Sequence, residues 1–281
     1  MRNDGYDLTI DKTLVLAEGN NNIKIEVRNA GGISIVEKNV TYSPENNKNL
    51  KQKRIALIIG NARYRDYDKR LNNAVNDATD IAAKLEKLGF RVLKSLDQTR
   101  KEMDEAIRTF GLQAKECDVA LFYYSGHGIQ YHGDNYLVPI DAELLEEENI
   151  RYECTNANII LDKMQGAKCP MKIVILDACR NNPFARGWHR GIGSNGLNVM
   201  EVPKGTFIAY ATSPNDVALD GKVGERNSPY TKALLQTLDI PNLTLLEVFQ
   251  EVAERVGKAT NERQAPWSST SFRGKFVFNQ K

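Results

Sequence analysis

An α/β fold, with a mostly parallel six-stranded sheet covered by helices on both faces, is predicted by three observations. Strand-like and helix-like patterns alternate through roughly 225 residues from Arg54 onward. The strand-like runs are short, rich in β-branched residues and apolar at consecutive positions, as in Ile173-Val174-Ile175-Leu176, which suits strands buried on both faces. Several helix-like runs open on capping residues at the correct spacing.

Residues 1–43 stand apart. Asp7 to Leu16, Ile23 to Val27 and Ile33 to Tyr42 are strand-like and are separated by turn-rich Glu18-Gly19-Asn20 and Asn29-Ala30-Gly31-Gly32. This β segment resembles the end of an immunoglobulin-like module, is too short for a whole sandwich, and reads as a structural addition. Residues 44–53, with Pro44 and several asparagines and lysines, read as a linker. Residues 54–281 form the main domain.

In that domain Ile55–Ile59 is the first strand. A helix from about Asn73 to Leu88 follows, with Ala74, Ala78, Ile81, Ala82, Leu85 and Leu88 on one face. Arg91–Leu96 is the next strand, and Thr99 with Glu102 opens a helix carrying Met103, Ile107 and Phe110. Val119–Tyr124, Ile173–Leu176 and Gly205–Ala211 are further strands, with a helix near 156–164 before the second of them. Pro183 to Lys204 lacks periodicity and reads as a mobile loop. Ser228-Pro229 caps a helix through Leu238, and Thr244 with Glu247 caps another through about Lys258. Lys275–Phe278 reads as the sixth strand, after a loop containing Pro266 and Trp267. Right-handed crossovers would align the strand ends after Gly60, Ser125, Asp177 and Ala211 along one edge.

The bulk properties are permissive. A hydrophobic fraction of 41% supports a core, and a net charge of +2 gives no reason to expect nucleic acid or a membrane surface as partner. Four cysteines without a C-x-x-C pair suit a reducing compartment such as the cytoplasm, and the first residues lack the apolar core of a signal peptide.

The chemistry concentrates at two strand ends. Val119–Tyr124 opens onto Ser125-Gly126-His127-Gly128, and the later strand ends in Asp177-Ala178-Cys179-Arg180. Together they supply an imidazole and a thiol: Cys179 as nucleophile, His127 as the base that takes its proton and later protonates a leaving amine. The amides of Gly128 and Cys179 suit an oxyanion site, and the glycines flanking His127 would let backbone approach a substrate closely. No third, orienting residue is evident.

Y-Y-S-G-H-G, with the cysteine of L-D-A-C-R 52 residues after His127, resembles the caspase-like cysteine peptidases: caspases, paracaspases, metacaspases and their bacterial relatives. The resemblance runs from Arg54 to Phe278, reaching A-T-S-P and N-S-P-Y-T, and implies a caspase-like three-layer fold. Asp177 stands where caspases that cut after aspartate hold a neutral glutamine. A carboxylate there implies a pocket for arginine or lysine before the scissile bond. By itself Asp77 reads as a first-turn acid. The resemblance to metacaspases and paracaspases makes it the pocket's second acid, with Ser125 as a smaller polar member. Asp220 is either a substrate-facing acid or a turn residue.

Asp141 resembles a calcium ligand of metacaspases, but Arg151-Tyr152-Glu153 and Arg186 stand where further acids would fall. A calcium-independent enzyme with neither metal nor cofactor is therefore implied. Arg186, Arg190 and Lys204 are possible self-cleavage sites. Gly191-Ile192-Gly193-Ser194-Asn195-Gly196 matches a dinucleotide motif but lacks its strand and helix context, and His132 and His189 read as exposed loop residues. The expected partners are proteins or peptides with Arg or Lys at the cleavage point, and the chain is expected to be a monomer or a homodimer. The rival reading, a non-enzymatic interaction module of the same fold, leaves the pairing of Cys179 with His127 without a purpose.

Overall fold

The computed structural model describes residues 14, 16–17, 19–29, 31–42, 52–179, 197–213, 218–221 and 224–280. Two compact units divide the chain, residues 1–51 and 52–281. In the first, β1 (Gly19–Asn29) and β2 (Gly32–Tyr42) form an antiparallel pair in continuous register from Gly19↔Tyr42 to Asn29↔Gly32. Ile25, Val27, Ile33, Ile35 and Val36 of this pair are exposed. Of the predicted strand at Asp7–Leu16, residues 7–13 and 15 lie outside the described residues.

The second unit is a three-layer α/β structure. Its strands are β3 (Arg54–Gly60), β4 (Phe90–Leu96), β5 (Val119–Tyr131), β8 (Met171–Cys179), β9 (Thr206–Tyr210) and β10 (Trp267–Thr270). They lie in the order β10-β9-β8-β5-β3-β4, parallel throughout except for β10, which runs antiparallel to β9 at the edge. A small antiparallel ribbon, β6 (Asp134–Leu137) and β7 (Thr155–Asn156), continues from the far end of β5.

Alternate residues of each central strand enter opposite cores, as the two-residue strand period requires. Ala56, Ile58, Leu121, Tyr123, Ile173 and Ile175 pack with α1 (Ala74–Lys87), α5 (Pro229–Thr237) and α6 (Leu245–Thr260). Ile55, Leu57, Ile59, Phe122, Tyr124, Val174 and Leu176 pack with α2 (Arg100–Gln113) and α4 (Asn158–Gly166) on the other face. A short helix, α3 (Ile150–Glu153), precedes β7. Helices start where the sequence signals them: Thr99 and Thr244 form full capping boxes with Glu102 and Glu247, and Ser228 caps α5 with Pro229 in its first turn.

Two segments differ from expectation. The sixth strand is Trp267–Thr270 rather than Lys275–Phe278. Phe276 and Phe278 are buried in the α1/α5/α6 core, but the backbone there makes only the isolated bridge Thr244↔Val277 among the described residues. The end of the supposed mobile loop is fixed: Leu197 is buried, and Asn198 and Asn135 exchange side chain to backbone hydrogen bonds at 2.6 and 2.8 Å.

Candidate functional site

The parallel register places the predicted site residues in rows across the carboxyl edge of the sheet. Gly60, Ser125 and Asp177 are Cα partners across β3, β5 and β8, and the Ala211 amide bonds to Leu176 O at 3.0 Å. Two residues further on, His127 of β5 is the Cα partner of Cys179, the last residue of β8. The strand order reverses between β3 and β5, beside this row, which is where open α/β sheets place ligands.

His127 is only 5% exposed and is held on several sides. Its Nε2 lies 2.7 Å from Lys69 O. A carbonyl only accepts, so the neutral ring donates from Nε2, which leaves Nδ1 as the basic nitrogen. The Tyr64 ring packs against the imidazole at a tilt of 44° with centroids 4.5 Å apart, and its hydroxyl accepts the His127 backbone N–H at 2.7 Å. The Tyr124 hydroxyl donates to His127 O at 2.9 Å. Burial pushes the imidazole down to about 4, and the nearby Lys69 charge acts in the same direction. The ring is therefore neutral at physiological pH. The sequence named no orienting group because the Lys69 contact is a backbone carbonyl, which has no residue-type signature.

The glycines beside His127 are occupied by protein rather than open to a ligand. A Cβ on Gly126 would sit 2.5 Å from the Tyr124 hydroxyl and 2.9 Å from that of Tyr64. One on Gly128 would meet Leu197 at 3.0 Å and Ala178 at 3.1 Å. Both positions therefore also carry a packing requirement on the His127 strand.

A cluster of carboxylates lies under the same edge. Asp177 is 4% exposed, and three hydroxyls reach its Oδ2: Ser228 at 2.5 Å, Thr231 at 2.8 Å and Tyr123 at 3.4 Å. Asp77, fully buried on α1, accepts the Ser228 N–H at 3.0 Å and the Ser125 hydroxyl at 3.2 Å. Burial, reinforced by the charge of Asp177, pushes the Asp77 carboxyl up to about 8. Burial also raises Asp177, to about 6, against the opposing pull of its Ser228 and Thr231 bonds. Asp220 accepts the backbone N–H groups of Asn72 and Asn73 at 2.7 and 3.3 Å, just before α1, and burial raises it too. Asp77, Ser125 and Asp177 are therefore brought together. Ser228 and Thr231, which the sequence marked only as a helix cap and as members of the N-S-P-Y-T resemblance and gave no role at the site, join them.

A family model described as the caspase domain matches residues 53–277. The chain belongs to the caspase-domain family. The caspase domain here is 30% identical over 220 residues to human mucosa-associated lymphoid tissue lymphoma translocation protein 1, covering 77% of this chain and 25% of that protein. It is 26% identical over 212 residues to a probable protease of a Desulfuromonadales bacterium, covering 65% of this chain and 25% of the relative. The chain thus spans about a quarter of the length of these two relatives. Among solved structures, caspase-1 from Spodoptera frugiperda superposes with a TM-score of 0.62 at 19% identity, covering 84% of this chain and 95% of that one. The Drosophila initiator caspase Dronc superposes with a TM-score of 0.58 at 16% identity, covering 81% and 85%. These structural likenesses establish the fold.

Other predicted positions of the caspase domain fall away from the acid cluster or outside the described residues. Lys204 is exposed, and Arg186, Arg190 and His189 lie outside the described residues. Asp141 accepts the Arg100 N–H at 2.9 Å at the start of α2. Among the described residues there is no group of three or more His, Cys, Asp or Glu that could hold a metal ion, and no helix long and apolar enough to cross a membrane.

Proposed function

We propose that the chain is a cysteine endopeptidase that cleaves peptide bonds after arginine or lysine. The observation that carries this reading is the register pairing of His127 with Cys179 on adjacent central strands, directly beyond the paired Ser125 and Asp177. In the proposed reaction His127 Nδ1 takes the Cys179 proton as the sulfur adds to the scissile carbonyl. The tetrahedral oxyanion is held by the amides of Gly128 and Cys179. The intermediate collapses to a thioester as the leaving amine takes the proton back from the imidazole. Water then hydrolyses the thioester with the same ring as base. A ring held neutral by burial starts in the protonation state this requires. Oxyanion donors of this kind each account for about a hundredfold to a thousandfold in rate.

The basic preference rests on the company that Asp77 and Asp177 keep. Among the described residues they accept hydrogen bonds from hydroxyls and an amide, and neither is in a salt bridge with an arginine or lysine. Buried acids without a cation are costly, and a substrate guanidinium or ammonium supplies one. Self-cleavage at Arg186, Arg190 or Lys204 follows from the same preference. Fluorogenic peptides ending in Arg or Lys should be hydrolysed by the parent protein and not by Cys179→Ala, and an arginine chloromethyl ketone should alkylate Cys179. Absence of both turnover and alkylation would overturn the proposal in favour of an interaction module.

A further inference from the structure

Among the described residues, Ser228 alone hydrogen-bonds to both buried acids, Asp77 and Asp177. Its amide donates to Asp77 Oδ1 at 3.0 Å, reaching α1, and its hydroxyl donates to Asp177 Oδ2 at 2.5 Å, reaching β8. The same hydroxyl accepts the Thr231 N–H at 2.9 Å, which fixes the direction of its own proton towards Asp177. Thr231 and Tyr123 converge on that same Oδ2, so Asp177 Oδ1 receives no donor among the described residues.

Building on the proposed basic specificity, we infer that Ser228 is a specificity-positioning residue. It holds Asp77 and Asp177 as one acid pair that keeps a proton while the pocket is empty and releases it when the cationic side chain of a substrate enters.

The groups facing the pair come from every element around it. Asp220 adds a third carboxylate from the segment before α5, and the phenols of Tyr123 and Tyr230 are themselves pushed up by burial and by the charge of Asp177. The Asn227 amide and the Arg226 guanidinium both donate to Asp80 instead. His127, on the same strand as Ser125, is held neutral. With neither acid in a salt bridge among the described residues, two neighbouring buried carboxyls cannot both ionise cheaply. The Ser228 and Thr231 hydroxyls favour charge on Asp177, the Tyr123 proton being taken by Thr231 at 2.5 Å, so the proton stays on Asp77. An arriving guanidinium removes the reason for keeping it: the neutral acid and the cation become a carboxylate paired with the cation, and one proton passes to solvent.

The test is calorimetry with the full chain and agmatine, a guanidinium ligand with no bond to cleave, in buffers of different ionisation enthalpy across pH 5 to 9. Binding near neutral pH should release about one proton, and affinity should fall by roughly tenfold per pH unit below the midpoint. Ser228→Ala removes one donor from Asp177 and should move that midpoint upward, with Ser228→Thr restoring it. Because Ser228 also caps α5, Thr231→Val provides an independent arm that removes a second hydroxyl from Asp177, leaves the cap in place, and should shift the midpoint the same way. Agmatine binding without proton release, or a midpoint unmoved in both Ser228→Ala and Thr231→Val, would overturn this inference and leave the basic specificity standing. No agmatine binding at any pH would overturn the basic pocket itself.

Discussion

Asp77 and Asp80 sit one turn apart on α1 and hydrogen-bond to consecutive parts of one segment, yet they are treated in opposite ways. Asp80 receives a two-pronged Arg226 guanidinium at 2.7 and 2.8 Å and an Asn227 amide at 3.0 Å, and the Arg226 bond holds its carboxyl below the usual range. Asp77 receives the neighbouring Ser228 amide, lies fully buried, and is pushed up to about 8 by that burial. Among the described residues, a cation is paired with the acid that fastens the segment to the helix and none is paired with the acid beneath the sheet edge. A carboxylate buried at such a cost to folding is a poor fastener, and perturbed groups of this kind gather where ligands bind.

The largest effect expected from disturbing this contrast is on substrate. Asp177→Asn should lower kcat/KM for arginine peptides by about a hundredfold or more, since truncating a buried charge pair costs roughly 3 kcal/mol, while a peptide with a neutral side chain at that position should lose far less. Steady-state kinetics on the paired substrates measures the difference, and equal losses on both would place Asp177 outside the pocket.

A smaller effect is expected on stability, and its sign follows from linkage. A carboxyl raised in the folded state gives stability that is whole below the ordinary carboxylate range and drains away as pH climbs towards the folded value, about 8 for Asp77. Asp77→Asn removes that drain. Its Tm should exceed that of the parent at pH 9, by about 2–4 °C for each kcal/mol recovered, and the advantage should shrink as pH falls and vanish only below about pH 4. The smallest effect is expected from Arg226→Ala. It breaks an exposed pair, should move Tm least of the three, should do so less in high salt, and should leave arginine cleavage in place.

The central strands were legible because burial on both faces writes itself as an unbroken apolar run, and the helices because Thr99, Thr244 and Ser228 announce their first turns. The edge was not. Trp267–Thr270 is a short strand with alternating exposure behind a proline, whereas Phe276 and Phe278 look like a strand because they are buried, and burial does not require a ladder. The site divides along the same line. Cys179 and His127 declare themselves by residue type at strand ends, while Asp77 needed the family resemblance. The bond from Ser228 to Asp177 was hidden: the N-S-P-Y-T resemblance marks the segment but gives Ser228 no partner, and a serine before a proline already serves as a helix cap. Contacts made through the backbone, such as Lys69 O to His127, leave no mark in a sequence at all.

His127 is also the last residue of β5 paired with β8, and Gly128 is the first paired with β6. One uninterrupted strand therefore belongs to two sheets and changes allegiance at the imidazole, with no loop between them to absorb slack. Whatever tugs the outer ribbon must either unzip it at Gly128 or carry the imidazole along, so the ribbon can act as a handle on the reactive centre without touching it.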